Sequence, residues 1–186
     1  MITTKRTILR PISSVDNEKV FGYRSDSETN KFQGWIPNKV EEVDDFISKN
    51  PETINIPDSW FQLVIIKKTS NELIGDIGIH FIDKENFQCE IGCTIRKEDQ
   101  GRGIATEVMR AIVNYLFNDL KKHRITASID PANISSIRLV ERLGFQKEGL
   151  FKESLLIDGK WVDDLVYAIL NYEWQLTETD NQDPRP

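Results

Sequence analysis

A glycine-bearing stretch at residues 97–107, with the sequence K-E-D-Q-G-R-G-I-A-T-E, is the part of the chain best suited to chemistry. An apolar run, Phe87 to Ile95, precedes it and an amphipathic pattern, Ile104 to Leu120, follows it, so a strand leads through a loop into a helix. The first turn of such a helix has backbone N–H groups without intrahelical partners, and the helix dipole adds partial positive charge there. Because Gly101 and Gly103 lack a Cβ, a ligand can approach the main chain closely. The stretch therefore predicts a site for a phosphate-bearing ligand.

Two common phosphate loops do not fit this stretch. The dinucleotide pattern G-x-G-x-x-G/A fails at its last position, where Thr106 stands, and the P-loop string G-x-x-x-x-G-K-S/T is absent from the sequence. The pattern Q-x-x-G-x-A does fit, as Gln100-Gly101-Arg102-Gly103-Ile104-Ala105. This pattern resembles the acetyl-CoA pyrophosphate loop of GNAT-type N-acetyltransferases. On these six residues alone, an ordinary glycine turn before a surface helix remains the alternative.

Length and composition predict one domain, residues 1–176, followed by a flexible polar tail at 177–186. The chain has 186 residues, of which 39% are hydrophobic and 29% charged, enough for a core of its own. It has no apolar run long enough to cross a bilayer, and its N-terminus lacks the apolar core of a signal peptide, so we expect no membrane association and a cytoplasmic location. A net charge of −6 argues against nucleic-acid binding and would suit a cationic substrate, although solubility alone also explains it.

The two cysteines, Cys89 and Cys93, are expected to be free thiols. Four residues apart on an extended strand, they are separated by about 13 Å at 3.3 Å per residue, too far for a disulfide. Free thiols suit a reducing compartment. We expect no metal site, because neither His80 nor His123 is close to the cysteines in sequence. His80 lies in an apolar strand and is interpreted as a sheet residue or as a wall of an acceptor cleft.

Strand, helix and turn signals alternate along the rest of the chain. Gly144 stands where a left-handed helix C-cap belongs, and Asp158-Gly159 is a hairpin signal. The strand–helix–strand unit at 87–129 implies a parallel pair with a right-handed crossover. Residues 25–37 are interpreted as a loop. Strands are predicted at 7–12, 60–67, 73–82, 87–96, 124–129, 145–156 and 161–170, and helices at 14–24, 40–48, 104–120 and 134–143.

This order of elements, together with the glycine loop, resembles the GNAT acyltransferase fold over nearly the whole chain. The resemblance implies an α+β domain with a mixed, mostly antiparallel sheet of six to seven strands, one parallel strand–helix–strand crossover, and helices on both faces. A second motif agrees, because residues 133–145, N-I-S-S-I-R-L-V-E-R-L-G-F, resemble the family stretch N-x-x-S-x-x-(apolar)₂-E-K/R-x-G-F. The strings Tyr23-Arg-Ser-Asp26, Trp35-x-Pro37 and Glu90-Ile-Gly92, with the helix at 40–48, are similar to the RimJ/RimL-like branch.

The resemblance implies transfer of an acetyl group from acetyl-CoA to a primary amine by direct attack on the thioester. The acceptor is left open between a protein N-terminus, an aminoglycoside or polyamine, and a small metabolite amine, with specificity expected in residues 25–59. A non-catalytic acyl-CoA sensor that kept the fold is the competing hypothesis. The oligomeric state is open and includes a homodimer. The residues expected to bind the cofactor are Ile95, Gln100, Gly101, Arg102, Gly103, Ile104, Ala105, Thr106 and Asn133.

Glu90 is the candidate general base. A lysine-like amine has a pKa near 10.4, so forming the neutral nucleophile at pH 7 costs roughly 4 to 5 kcal/mol. A nearby carboxylate, directly or through a water molecule, can accept that proton. Glu90 lies on the strand that enters the loop, and histone acetyltransferases of the superfamily have a basic glutamate at a closely similar place. The alternative is a structural carboxylate that is paired with a neighbouring strand or binds substrate charge.

Ser136 is the candidate acid for the leaving thiolate. Many relatives use a tyrosine of the second motif for this step, and Val140 stands at the matching position here. In the RimJ/RimL-like branch a serine of the N-x-x-S element is the proposed substitute, and it corresponds to Ser136. Either Ser136 or Asn133 could instead cap the N-terminus of the helix. A backbone N–H near 93–95 is expected to face the thioester oxygen.

Overall fold

A mixed β-sheet forms the central layer of a computed structural model, which describes residues 1–157 and 159–182 and the side chains up to residue 176. The strands in this part of the chain are β1 (Ile2–Thr3), β2 (Thr7–Pro11), β3 (Ser59–Lys67), β4 (Leu73–Ile82), β5 (Gln88–Ile95), β6 (Arg124–Ile129), β7 (Gln146–Ile157) and β8 (Lys160–Leu170). Their spatial order is β1-β2-β3-β4-β5-β6-β8-β7. Neighbouring strands are antiparallel except β5 and β6, which are parallel.

Helices cover both faces of this sheet. The helix that follows the glycine loop buries Val108 and Ile112 in the larger of two core clusters, as expected from apolar residues four positions apart. On the other face Val20 and Val43 pack against Val64 of β3 in the second cluster. Short 3₁₀ turns lie at Ser14–Asp16 and Lys97–Asp99. The helices are α1 (Asn17–Arg24), α2 (Ser27–Asn30), α3 (Val40–Ser48), α4 (Ile104–Asn118), α5 (Ile134–Arg142) and α6 (Asn171–Gln182).

The parallel strands β5 and β6 diverge in the middle of the sheet. Their register pairs Gln88 with Arg124, Cys89 with Ile125 and Glu90 with Thr126, and it ends there. The rest of β5, through Ile95, continues to pair with β4 on its other side. A gap therefore opens between β5 and β6 just beyond Glu90, and β5 runs beside this gap into the glycine loop.

The predicted architecture is confirmed in its main features. The strand–helix–strand crossover joins the parallel pair, α4 begins at the predicted Ile104, and Gly144 has a φ of +90° at the end of α5. Both cysteines are free. The hairpin between β7 and β8 is present. Of its two turn residues, Gly159 has a φ of +74°, and Asp158 lies outside the described residues.

Three features differ from the sequence-based expectations. The described sheet has eight strands, because the two-residue strand β1 adds to the edge formed by β2. The predicted loop at 25–37 contains α2, whose first turn is capped when the Asp26 carboxylate accepts hydrogen bonds from the N–H groups of Glu28 and Thr29. Helix α6 continues to Gln182, so the first part of the predicted polar tail is helical, and residues 183–186 lie outside the description. None of the helices in the described ranges is long and apolar enough to span a membrane.

Candidate active site

A cavity of about 570 Å³ opens where β5 runs into the glycine loop. Helix α2 with the residues just after it, and helix α5 along its whole length, form its other walls. Arg102 is the one residue of the predicted cofactor set that does not line the cavity; its carbonyl is turned toward Arg6. The cavity thus joins two sequence motifs that are about thirty positions apart. The predicted residues that line it are Ile95, Gln100, Gly101, Gly103, Ile104, Ala105, Thr106 and Asn133, together with Ser136.

Residues 100–106, here called the cofactor loop, need both of their glycines. Gly101 and Gly103 have φ angles of +71° and +72°, in the left-handed region that residues with a Cβ rarely adopt. Gly103 is the N-cap of α4, so the N–H groups of Ile104 and the residues after it belong to the unpaired first turn. The side-chain amide of Gln100 donates to the Ile95 carbonyl at 2.8 Å and ties the loop back to β5. The loop presents free main-chain donors to the cavity.

Arg6 holds the cofactor loop from outside the cavity. Its Nη1 donates to the Arg102 carbonyl at 2.7 Å, and its Nε donates to Glu107 of α4 at 2.6 Å. The backbone N–H of Arg6 donates to the same carboxylate at 2.7 Å. Because a peptide unit is planar and trans, a carbonyl of Arg102 directed at Arg6 turns the N–H of Gly103 the opposite way. Sequence analysis missed this contact, which joins residues 101 positions apart.

Asn133 and Ser136, at the start of α5, have different roles in the structure. The Asn133 side chain caps the helix, because its Oδ1 accepts a hydrogen bond from the Ser136 N–H at 3.2 Å. The cap interpretation is therefore confirmed for Asn133 and wrong for Ser136. The Ser136 hydroxyl lies at the cavity and makes no hydrogen bond with any residue of the described ranges. Val140, at the position of the usual tyrosine, is only 3% exposed and packs in the core.

Basic side chains that sequence analysis did not select also line the cavity. Arg138 and Arg142 lie one helical turn apart on α5, and Arg142 donates to the hydroxyl of Thr106 at 3.1 Å. Lys31, just after α2, contributes a further cation in addition to Lys97 of the 3₁₀ turn, and the Lys31 Nζ lies 5.1 Å from the centre of the Phe32 ring. The spacing of the two arginines was a usable signal. Lys31 was not, because its position depends on a four-residue helix inside a predicted loop.

Buried ionic contacts hold the α2 wall against the sheet. Arg24 at the end of α1 donates through Nε to Asp76 of β4 at 2.9 Å, and the Tyr23 hydroxyl donates to the same carboxylate. Asn30 of α2 donates through its amide to the Tyr23 carbonyl at 2.6 Å. A buried charge pair whose members are also hydrogen-bonded tolerates little displacement. The cavity wall that carries Lys31 is therefore fixed to β4.

Glu90 lies outside this cavity, on the sheet face beside the strand gap. It pairs across the sheet with His80 of β4 and Thr126 of β6, and it is the last residue of β5 to pair with β6. Its carboxylate has no hydrogen bond or salt bridge within the described ranges, so the interpretation of a paired structural carboxylate is not supported. Burial, together with the negative charge of Asp164, raises the pKa of Glu90 above its usual value. A raised pKa makes the Glu90 carboxylate a stronger base than an ordinary glutamate.

His80 is half-buried and stacks on Trp60, with ring centres 4.7 Å apart and an angle of 4° between the planes. The pair lies beside Glu90, since Trp60, His80 and Glu90 form one cross-strand row. Farther along the same face, Ser128 donates to Asp164 at 2.6 Å. This face combines carboxylates with an aromatic wall.

Comparisons with known proteins agree with this geometry. The family model described as an acetyltransferase (GNAT) domain matches residues 6–146. YnaD, an uncharacterized N-acetyltransferase of Bacillus subtilis (strain 168), is 34% identical over 176 residues, covering 93% of this chain and 98% of the relative. The crystal structure of a GNAT-family acetyltransferase from Bacillus anthracis is similar with a TM-score of 0.82 and 30% identity, covering 92% of this chain and 98% of that one.

One comparison bears on the RimJ/RimL-like branch. The ribosomal protein uS5-alanine N-acetyltransferase of Escherichia coli (strain K12) is 34% identical over 117 residues, which cover 62% of this chain and 60% of that enzyme. A match over this share of both chains does not establish the branch. The family model and the matches over nearly the whole length do establish the family: the chain belongs to the GNAT acetyltransferases, and it is an N-acetyltransferase with their fold.

Proposed function

We propose that this N-acetyltransferase binds acetyl-CoA in the cavity of about 570 Å³ and transfers its acetyl group to a primary amine at the gap between β5 and β6. The observation that carries the proposal is that one cavity joins the cofactor loop, the N-terminus of α5 and the strand residues Thr94 and Ile95 beside the gap. GNAT acetyltransferases use acetyl-CoA. The start of α4 suits the phosphates at the polar end of this molecule, and the edge of β5 is where its reactive thioester would lie.

The pyrophosphate belongs at the main chain of residues 101–106 in this proposal. The two left-handed glycines and the first turn of α4 supply N–H donors, and the helix dipole favours negative charge at this end. Arg138, Arg142, Lys31 and Lys97 place four cations on the same cavity for the remaining phosphate charge. The thioester end then reaches Thr94 and Ile95, where a backbone N–H of residues 93–95 can face the carbonyl oxygen.

The transfer step forms one bond and breaks one. The amine nitrogen attacks the thioester carbon, and the carbon–sulfur bond breaks as the tetrahedral intermediate collapses. Glu90, directly or through a water molecule, accepts the proton that the amine loses. The Ser136 hydroxyl donates a hydrogen bond to the leaving thiolate from the cavity wall. Glu90 acts from the acceptor side of the gap because it does not line the cofactor cavity.

We further place the protein in the RimJ/RimL-like branch and in the cytoplasm. The branch is supported by the partial match to an enzyme named for acetylating the alanine of ribosomal protein uS5. That name favours a protein N-terminus among the acceptors, with a polyamine, an aminoglycoside and a small metabolite amine as the other candidates. The reducing cytoplasm is supported by two free thiols in one strand. The catalytic domain extends at least to Trp174, which is fully buried in the core.

A panel of acceptors separates this enzyme from an acyl-CoA sensor. Calorimetry with acetyl-CoA tests binding, and release of free CoA thiol tests turnover with an alanine-initiated peptide, spermidine, an aminoglycoside and propylamine. We expect binding and acceptor-dependent thiol release. Binding without thiol release for every amine would favour the sensor, which the full-length similarity to proteins named N-acetyltransferases does not support. Absence of acetyl-CoA binding would overturn both.

Replacing Ser136 with alanine should lower kcat by roughly ten- to a hundredfold. A hydrogen bond to a charged group is worth about 1.5–3 kcal/mol, and about 1.4 kcal/mol corresponds to a tenfold change in rate. Acetyl-CoA affinity should hardly change, because the interaction strengthens only as charge develops on sulfur. The melting temperature should also be retained, since Asn133 and not Ser136 caps α5. Ser135→Ala, which removes a hydroxyl from the same helical turn and the same cavity wall, is the comparison, and wild-type turnover in Ser136→Ala would exclude Ser136 from the mechanism.

A further inference from the structure

Open space lies over Gly92 of β5, beside Gly78 of β4, which the Gln62 amide and the Trp60 ring cover. Gly78 pairs with Gly92, and the side chains that flank them in this row point to the same face of the sheet as Glu90. A Cβ built on Gly92 would meet no atom within 4 Å, so the space above this residue is open. Gly92 is also exposed to solvent, so a ligand can enter. We call this space the Gly78–Gly92 hollow; the next row of the same face consists of Trp60, His80 and Glu90.

Gln62 closes one side of the hollow and brings an unused hydrogen-bond acceptor to it. It pairs with Gly78, and its amide covers that glycine: a Cβ built on Gly78 would lie 2.9 Å from Nε2 and 3.2 Å from Oε1. Gln62 is 7% exposed, and its Oε1 has no partner within the described ranges. Buried polar atoms in proteins are nearly always paired. Because Oε1 is shielded from solvent, the Gln62 amide must turn for a ligand above Gly92 to reach it, and an unpaired carbonyl oxygen of this kind points to a ligand that donates a hydrogen bond.

The remaining sides of the hollow connect it to the proposed chemistry. Glu90 and Thr94 lie two residues before and two residues after Gly92 on β5, on the same face. Thr94 also lines the cofactor cavity, so the hollow adjoins the end of that cavity. On the side of Glu90, the stacked rings of Trp60 and His80 form a flat wall, and Trp60 is 47% exposed at its edge.

We propose that the Gly78–Gly92 hollow binds the acceptor amine and that Gln62 accepts a hydrogen bond from its nitrogen, an inference that rests on the acetyl transfer proposed above. A nitrogen above Gly92 would lie between Glu90, two residues earlier on β5, and the Gln62 amide, which covers the paired Gly78. A primary ammonium group has three N–H donors, enough for both oxygens, whereas a substituted nitrogen has fewer. The carbon substituent of the amine extends out of the hollow along the rings of Trp60 and His80. The substrate class is a primary amine on an apolar chain or ring.

Gly92→Ala tests the space in the hollow. The added methyl meets no protein atom within 4 Å, and the glycine is not among those with a positive φ, so folding should be unaffected. We expect the KM of the amine to rise by about tenfold, the size of one lost hydrogen bond or contact. The loss should grow from propylamine to its α-branched isomer isopropylamine, because the methyl narrows the hollow. Acetyl-CoA affinity and melting temperature should be retained. Gly22→Ala, another glycine whose Cβ would meet nothing within 4 Å, is the matched control on α1.

Gln62→Leu tests the acceptor oxygen while keeping a side chain of similar volume over Gly78. The KM of propylamine should rise by about tenfold with little change in kcat, since the bond is made to the bound amine as well as to the transition state. A role limited to packing would lower the melting temperature and leave KM unchanged. An unaltered KM in both variants would overturn the inference and leave the acetyl transfer standing.

A binding measurement tests whether the hollow binds an amine, even if no amine is acetylated. Propylammonium chloride is titrated into ¹⁵N-labelled wild-type protein with CoA present, and the Gln62 side-chain amide and the Gly92 N–H are observed. We expect both signals to shift in the wild type and to shift less in Gly92→Ala. Chemical-shift changes without thiol release in any assay would contradict the proposed acetyl transfer but would still support an amine-binding site. Signals that do not move would overturn the amine site itself.

Discussion

Thr106→Asp should weaken acetyl-CoA binding by at least about a hundredfold and leave the fold intact. Thr106 lines the cofactor cavity in the first turn of α4, beside the N–H groups proposed to hold the pyrophosphate. A fixed carboxylate there repels the phosphates. Two unit charges 4 Å apart interact by about 4 kcal/mol at an effective dielectric of 20. Half of that energy already exceeds the roughly 1.4 kcal/mol that corresponds to a tenfold change in Kd, and the pyrophosphate carries more than one charge.

The same substitution should not destabilise the protein, so a loss of acetyl-CoA binding can be distinguished from a loss of folding. An acidic residue in the first turn of a helix is favourable by about 0.3–1 kcal/mol. Arg142, which donates to the Thr106 hydroxyl, remains in place to pair with the new carboxylate. Calorimetry with acetyl-CoA measures the Kd, and thermal unfolding measures the stability. Thr106→Asn, equal in shape to the aspartate but neutral, should bind far more tightly than Thr106→Asp. Equal losses in the two variants would show that volume and not charge governs the site.

The cofactor loop could be predicted because its determinants are local in sequence. Gly101 and Gly103 supply the two positive φ angles, and the apolar spacing that starts at Ile104 marks the helix start that the structure confirms. A cap at Asn133 was one of the sequence-based alternatives for a similar reason, since a cap and the N–H it accepts from are three residues apart. Residues this close in sequence determine their local backbone geometry, so such patterns can be recognised without knowledge of the tertiary structure.

Contacts that depend on strand register or chain packing could not be predicted in the same way. The hydrogen bonds of Arg6 to the loop join positions about a hundred residues apart. The row formed by Gln62, Gly78 and Gly92 exists only because three strands pair in one particular register. A shift of one residue would turn each of these side chains to the other face. Nothing in the local sequence marks Gln62 as different from other polar residues of a strand.

Glu90 stands between these two cases. Its position near the loop was readable from the strand pattern, but its separation from the cofactor cavity was not. That separation follows from the strand gap, which begins immediately after Glu90 pairs with Thr126. This position outside the cavity agrees with the sequence-based expectation that Glu90 lies on the strand before the loop, and its role as the base stays a proposal.

Glu90→Gln should lower kcat/KM by about a hundredfold or more at pH 7. General base catalysis typically contributes about 10² to 10⁴, and glutamine keeps the shape of glutamate without accepting the proton. In the wild type the rate should rise with pH as Glu90 loses its proton, with an apparent pKa above that of an ordinary glutamate, because burial and then Asp164 raise it. The variant should lack this rise. A pH–rate profile identical in the two proteins would leave a water chain as the base.

Stability should change in the opposite direction to activity when Glu90 is replaced. Because the pKa of Glu90 is higher in the folded protein, its contribution to stability is present below the unfolded pKa and is lost as pH rises through the folded pKa. Glutamine never ionises, so the melting temperature of Glu90→Gln relative to the wild type should increase as pH rises from the ordinary pKa of a glutamate through the raised pKa of Glu90. Glu148 on the same face is the control. Arg124 lowers the pKa of Glu148, so Glu148→Gln should lose stability over the same pH range while turnover is retained. If Glu90→Gln also lost stability as pH rises, Glu90 would be a structural carboxylate with a partner and not a base held ready for an amine.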